Sequence, residues 1–228
     1  EGIDILLALD ASSSMGANDM DRRRTRLDVA RDAGARFVRG RPHDRIGLLV
    51  FARYADLACP PTPDHEALAR FLRGVATVAG DGPEDATGLG TAVARAAQTL
   101  AGARSPVVIL LTDGEENVAT VGAKGEIAPV HAAQLCRSLG VKVYAVAIGG
   151  APNDAVKDVA ARTGGLAFEA RDASAVAAVY ERIDALEKTA FSEPRREIED
   201  RFLPFLVAAV ALLLVGRALE AGPLGVLP

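Results

Sequence analysis

The sequence predicts an α/β fold, a doubly wound and mostly parallel sheet flanked by helices. Three observations carry this. Short apolar runs alternate with helix-period segments along most of the chain. Val107–Thr112 is an uninterrupted apolar run, as in a strand buried on both faces. Glycines punctuate the ends of elements, as at Gly149-Gly150 and Gly164-Gly165.

The elements follow in order. Ile3–Leu9 is apolar apart from Asp4 and reads as the first strand. Thr25 is an N-cap, with Asp28 three residues on in place of the usual Glu. Leu27, Ala30, Gly34, Phe37 and Val38 then form one apolar helix face, stopped by Gly40 and Pro42. Ile46–Phe51 is a second strand, and a short third runs over Ala55–Ala58. Asp64–Arg73 and Gly90–Ala101 are helical. After the strand Val107–Thr112 come a helix over Pro129–Leu139 and a strand over Val141–Ile148. A helix over Asp154–Thr163, a strand over Leu166–Glu169 and a helix over Ala173–Glu187 complete the domain.

Composition shifts after that point. We expect the α/β domain over 1–188, a charged linker over 189–201, a transmembrane helix over 202–219 and a tail over 220–228. The linker is charged and carries Pro194. Phe202–Gly216 is 15 residues without a charge. At ~1.5 Å per residue that run is shorter than the ~30 Å hydrocarbon core. Snorkelling by Arg217 and the weakly polar residues beyond would extend it. Flanking charges are mixed on one side and sparse on the other, so both orientations in an inner membrane stay open. The chain opens at Glu1 directly on strand-like sequence, with neither initiator Met nor signal peptide. It therefore reads as a fragment or processed product.

Bulk properties exclude several classes. Of 228 residues, 26 are Lys or Arg and 30 are Asp or Glu, a net charge of −4. No basic excess is present to neutralise nucleic-acid phosphates. Cys59 and Cys136 form neither a disulfide framework nor a zinc pattern and read as buried thiols. His43, His65 and His131 lack ligand spacing. No phosphate-binding Gly-x-x-x-x-Gly-Lys-Ser/Thr segment and no Gly-x-Ser-x-Gly elbow occurs.

Chemistry concentrates in three segments. Asp10-Ala11-Ser12-Ser13-Ser14 follows the first strand, where ligands gather in open α/β sheets. Its carboxylate and hydroxyls are hard oxygen donors, suited to Mg²⁺ rather than a soft metal. Thr112-Asp113-Gly114 puts a second carboxylate at another strand end. Asp85-Ala86-Thr87-Gly88-Leu89-Gly90 puts a threonine in a glycine-containing loop just before a helix. If the two strands are neighbours, Asp10 and Asp113 face one crevice.

Asp-x-Ser-x-Ser, a distant Thr and a later Thr-Asp-Gly together resemble the metal-ion-dependent adhesion site of von Willebrand factor A domains, over about residues 3–187. The resemblance implies that Ser12, Ser14 and Thr87 ligate Mg²⁺, with Mn²⁺ or Ca²⁺ as substitutes, through their hydroxyls. Asp10 and Asp113 would hold coordinated waters. Neutral hydroxyls leave the ion's charge poorly neutralised, so an Asp or Glu of a protein partner completes the shell. Pro42-His43-Asp44-Arg45-Ile46-Gly47-Leu48, together with Leu110–Glu116, Val143–Gly149 and Tyr180–Lys188, resembles bacterial membrane-anchored BatA-type aerotolerance proteins. That group commonly has Gly where Ser13 stands and a longer insertion after Gly149. The resemblance implies association with a MoxR-type AAA+ ATPase and related domains of the same kind, and a role in assembling envelope complexes.

The expected function is thus a membrane-anchored binding module and not an enzyme. The alternative is a Mg²⁺-dependent phosphohydrolase with Asp10 as nucleophile. It lacks an Asp-x-Asp pair and a histidine near any of the three segments. Arg22, Arg23, Arg24 and Arg26 read as a solvated loop, with a basic rim that steers an acidic partner as the sharper alternative. Glu115, Glu116 and Asn117 read as a polar turn, with Glu115 within reach of the site.

Overall fold

The first strand is buried along its whole length, and apolar between its two end residues, because both faces of the sheet it occupies are covered. A computed structural model describes residues 2–21, 23–114, 117–118, 127–192 and 202–221. The chain divides into two units, Glu1–Glu187 and Lys188–Pro228. The first unit holds a sheet of β1 (Asp4–Asp10), β2 (Arg45–Phe51), β3 (Ala55–Thr62), β4 (Val107–Thr112), β5 (Lys142–Ile148) and β6 (Ala167–Ala170). Its helices are α1 (Arg26–Arg39), α2 (His65–Gly74), α3 (Leu89–Thr99), α4 (Pro129–Ser138), α5 (Asp154–Arg162) and α6 (Ala173–Ser192).

The strand order is β3-β2-β1-β4-β5-β6. All pairings are parallel except β2 with β3 at the edge. β1 sits between β2 and β4, with Leu9 opposite Leu111 and Asp10 opposite Phe51. The chain winds outward from β1 in one direction through β2 and resumes on its other side through β4. The gap between the ends of β1 and β4 is therefore a topological switch point.

Side-chain alternation along β1 divides the core in two. Ile5, Leu7 and Leu9 join a cluster with Ala30 and Phe37 of α1, Leu72 of α2 and Tyr180 of α6. Leu6 and Ala8 face the other way, into a cluster with Val93 and Ala97 of α3, Cys136 of α4 and Val159 of α5. Asp4, the first residue of β1, is buried and paired bidentately by Arg45, at 2.6 and 2.7 Å. That guanidinium, with the Arg104 amide, holds the Asp4 carboxyl below its usual range.

Thr25 caps α1 as its sequence predicts. Its hydroxyl accepts from the Asp28 amide at 3.0 Å, and Asp28 Oδ2 accepts from the Thr25 amide at 3.0 Å. Within α1, Gly34 faces Leu7, Leu72 and the Tyr180 hydroxyl. A Cβ there would meet the hydroxyl at 3.5 Å, ordinary van der Waals contact. Gly34→Ala is accordingly expected to stabilise the domain by about 0.5–1 kcal/mol, because mid-helix glycine costs backbone entropy. A urea unfolding midpoint equal to or below that of the wild type would refute this.

Three expectations need correction. The third strand extends to Thr62, beyond Ala58, because an edge strand tolerates Pro60 and Pro61 where a central one would not. α6 continues to Ser192 rather than ending at Glu187, so the linker expected over 189–201 begins as helix. The remainder of that linker, 193–201, lies outside the described residues.

The third correction concerns the membrane span expected over 202–219. Residues Phe202–Ala221 do form a helix, α7, of 20 residues. Among the described residues, however, no helix is long and apolar enough to cross a membrane. The charge-free stretch stops at Gly216, and the residues counted on to extend it include Arg217. Most of the tail, 222–228, lies outside the described residues.

Candidate metal centre

Asp10 is the last residue of β1 and is fully buried. Both its oxygens are committed. Oδ1 accepts from the Ser12 amide at 2.9 Å, and Oδ2 from the Thr112 hydroxyl at 2.6 Å. Burial pushes the Asp10 carboxyl up to about 6, although the bonds from Thr112 and Ser12 pull it down. The chain then turns. The Ala11 amide donates to Phe51 O at 2.7 Å, and Ser13–Gly16 form a single 3₁₀ turn. That turn brings the hydroxyls of Ser12 and Ser14 within 3.1 Å of each other.

Asp113 arrives one residue past β4. Ser14 donates its hydroxyl to Asp113 Oδ1 at 2.8 Å, and Arg26 Nη1 donates to Oδ2 at 2.7 Å. The Asp113 side chain has no exposed surface. Thr87 arrives on the loop before α3 and is 3% exposed. Its hydroxyl is 3.0 Å from where a Gly114 Cβ would stand, so a larger residue there would press on the Thr87 side chain. Asn117 fixes the Thr87 backbone on both sides: Oδ1 accepts from the Thr87 amide at 2.7 Å, and the Asn117 amide donates to Thr87 O at 3.2 Å.

The fold thus brings Asp10, Ser12, Ser14, Thr87 and Asp113 to one sheet edge. Sequence reasoning missed the residues that hold them. Asp85 accepts from the Ser13 amide at 3.0 Å and its hydroxyl at 2.7 Å, tying the first segment to the Thr87 loop. The Ser13 bonds hold the Asp85 carboxyl below its usual range. Asn153 caps α5 through the Val156 amide at 2.9 Å and also donates to Gly114 O at 3.2 Å. Adjacency to the motifs was the only sequence signal for Thr112 and Asp85, and Asn153 had none.

The alternative of a basic rim does not hold at two of its arginines. Arg24 is paired with Asp21 and Asp32, and Arg26 with Asp19 and Asp113. These two arginines are neutralised by their own chain rather than offered to a partner. Arg22, Glu115 and Glu116 lie outside the described residues. Cys59 and Cys136 are free and buried, and burial pushes the Cys136 thiol up to about 12.

The donor set fits a small hard cation. With Mg–O distances of about 2.05 Å, adjacent corners of an octahedron lie about 2.9 Å apart. The Ser12–Ser14 separation of 3.1 Å is close to that edge length. Among the described residues no group of three or more His, Cys, Asp and Glu is placed to hold a metal.

Residues 5–116 match the von Willebrand factor type A domain family. The fold of this domain is of the von Willebrand factor A type. β5, β6 and the helices around them continue the same sheet beyond the matched segment. An uncharacterised protein of Borreliella burgdorferi is 32% identical over 148 residues, which are 65% of this chain and 41% of that protein. The chain thus spans under half the length of that relative. Among solved structures, BatB of Bacteroides thetaiotaomicron is 22% identical with a TM-score of 0.67, covering 82% of this chain and 100% of that one. An aerotolerance-related membrane protein of Bacteroides fragilis is 21% identical with a TM-score of 0.65, covering 81% and 98%. At these identities the structures show a shared fold, that of the von Willebrand factor type A domain.

Proposed function

We propose that this von Willebrand factor type A domain is a non-enzymatic binding module that captures an Asp or Glu of a protein partner through a divalent cation. The hydroxyls of Ser12, Ser14 and Thr87 would hold the cation, Mg²⁺ by preference and Mn²⁺ or Ca²⁺ as substitutes. Asp10 and Asp113 would orient its waters. The bound ion supplies a Lewis-acidic position that an acidic side chain can complete. The observation carrying this reading is the convergence of three hydroxyls and two carboxylates from three distant segments at the switch point.

The residues argue against catalysis by Asp10. A nucleophile must be presented to substrate with a proton acceptor in reach. Asp10 is buried, and its oxygens are engaged by Thr112 and Ser12. The same engagement suits a positioning role.

The Bacteroides fragilis protein is a membrane protein by its description. For this chain we take membrane association to run through α7, where Leu206, Leu212, Leu213 and Leu214 are half or more exposed. Partnership with a MoxR-type AAA+ ATPase and related von Willebrand factor type A proteins, in assembling envelope complexes, follows from the BatA-type segments. Interactions with nucleic acid form no part of this reading.

Titration calorimetry with Mg²⁺ tests the centre. Wild type is expected to bind weakly, and Ser12→Ala at least tenfold more weakly. Equal binding by both would remove Ser12 from the site. Phosphatase turnover that needs Mg²⁺ and is lost in Asp10→Asn would overturn the non-enzymatic reading.

A further inference from the structure

Arg26 links Asp113 of the centre to an outer carboxylate, Asp19. It is the first residue of α1, inside the Thr25–Asp28 capping box, so its side chain leaves from a fixed helix start. Nη1 donates to Asp113 Oδ2 at 2.7 Å, and Nε donates to Asp19 Oδ1 at 2.9 Å, with Nη2 on the other Asp19 oxygen. The end of β5 closes over the guanidinium. Gly149 has φ +82°, and a Cβ there would stand 2.7 Å from Arg26 Cζ. The arginine is 18% exposed against 49% for Asp19 and none for Asp113. Its inner contact is therefore the one shielded from water.

We propose that Arg26 is a positioning residue of the metal centre, whose fixed positive charge behind Asp113 sets how tightly the centre holds a cation without a partner. This rests on the reading above. The guanidinium takes Oδ2 of Asp113 and leaves Oδ1 toward Ser14, which fixes the face that Asp113 presents. It also changes the local charge. Asp10 and Asp113 would together balance a divalent ion. With Arg26 in contact they supply a net single negative charge, and the ion keeps a surplus that an incoming carboxylate satisfies. The arginine thus trades cation affinity for dependence on an acidic partner. Asp19, on its outer side, tempers that charge.

Mg²⁺ titrations on four proteins test this, each alone and with acetate as carboxylate probe. Arg26→Gln keeps a donor for Asp113 and removes the charge. It is expected to bind Mg²⁺ at least tenfold more tightly than wild type, the order that one charge about 6 Å from a divalent ion sets even at the dielectric of water. Its response to acetate is expected to shrink. Arg26→Lys keeps the charge and is expected to stay near wild type. Asp19→Asn, at an exposed position that folding tolerates, is expected to bind Mg²⁺ a few-fold more weakly. A merely structural role would weaken binding in Arg26→Gln as well, so opposite signs for the Gln and Asn variants are the signature. Unchanged or weaker binding by Arg26→Gln overturns the proposal while the centre itself stands. No Mg²⁺ uptake by wild type overturns the centre and this proposal with it.

Discussion

Gly90→Ala is expected to destabilise the domain by about 3 kcal/mol or more, although alanine is the better helix former by about 1 kcal/mol. Gly90 is the second residue of α3, and a Cβ there would stand 1.9 Å from Ile127 O, 2.8 Å from Ala128 C and 2.8 Å from Pro129 N. Those are backbone atoms at the start of α4, which cannot swing aside as a flexible side chain does. Relief requires α3 to withdraw from α4, and α3 carries Leu89, Val93 and Ala97 of the second core cluster. The withdrawal would reach the metal centre too, because Thr87 lies two residues before the helix and Gly88 is pinned by its amide to Ala52 O at 2.8 Å. Urea unfolding of Gly90→Ala beside Gly34→Ala checks this. The two are the same substitution in a helix and are expected to move stability in opposite directions. A Gly90→Ala protein as stable as wild type would mean that the contact between α3 and α4 yields.

The features legible in the sequence are those encoded locally. Apolar runs marked β1, β2, β4 and β5 because central strands of a covered sheet are buried on both faces. The Thr25 cap was legible because donor and acceptor are three residues apart. The five candidate ligands were legible because each sits in a short motif at an element's end. What holds those ligands was not. Thr112 reaches Asp10 across 102 residues, Asp85 reaches Ser13 across 72, and Arg26 reaches Asp113 across 87. Each partner is chosen by strand order, and a single sequence carries no signal for strand order beyond the rule that crossovers are right-handed. Arg26 was misread for this reason: among neighbouring arginines it looks like surface charge, and only the fold turns it inward.

β3 shows the same limit from the other side. Pro60 and Pro61 argue against a strand wherever neighbours demand both faces of the backbone, and for an edge strand the argument does not apply. Edge or centre is a property of topology. The span expected at the C-terminus failed on a different count. Its length was completed with residues beyond Gly216 that are not uniformly apolar, and 15 uncharged residues at ~1.5 Å each do not reach across the hydrocarbon core.

Asp113→Ala is expected to have two separable effects, a loss of stability without metal and a loss of the response to metal. The first comes from Arg26. Removing a carboxylate from a shielded ion pair strands the opposite charge, which costs about 3–5 kcal/mol when burial is complete. Arg26 keeps Asp19 and some exposure, so a cost of about 2 kcal/mol is the expectation. Ser14 also loses the acceptor for its hydroxyl. The second effect comes from losing the carboxylate that would orient the ion's waters, a loss that no change of net charge replaces. Wild type is expected to gain unfolding free energy with Mg²⁺ as RT ln(1 + [L]/Kd), and Asp113→Ala to gain none. A double mutant distinguishes the two. Arg26→Gln placed on Asp113→Ala removes the stranded charge and is expected to recover part of the lost stability, with an interaction energy of about 1 kcal/mol or more. It is not expected to recover the response to Mg²⁺, because no second carboxylate returns. Urea unfolding of the four proteins in EDTA and in excess Mg²⁺ reads both effects at once. If Asp113→Ala still gains stability from Mg²⁺ as wild type does, Asp113 is a partner of Arg26 and Ser14 and has no part in holding a cation.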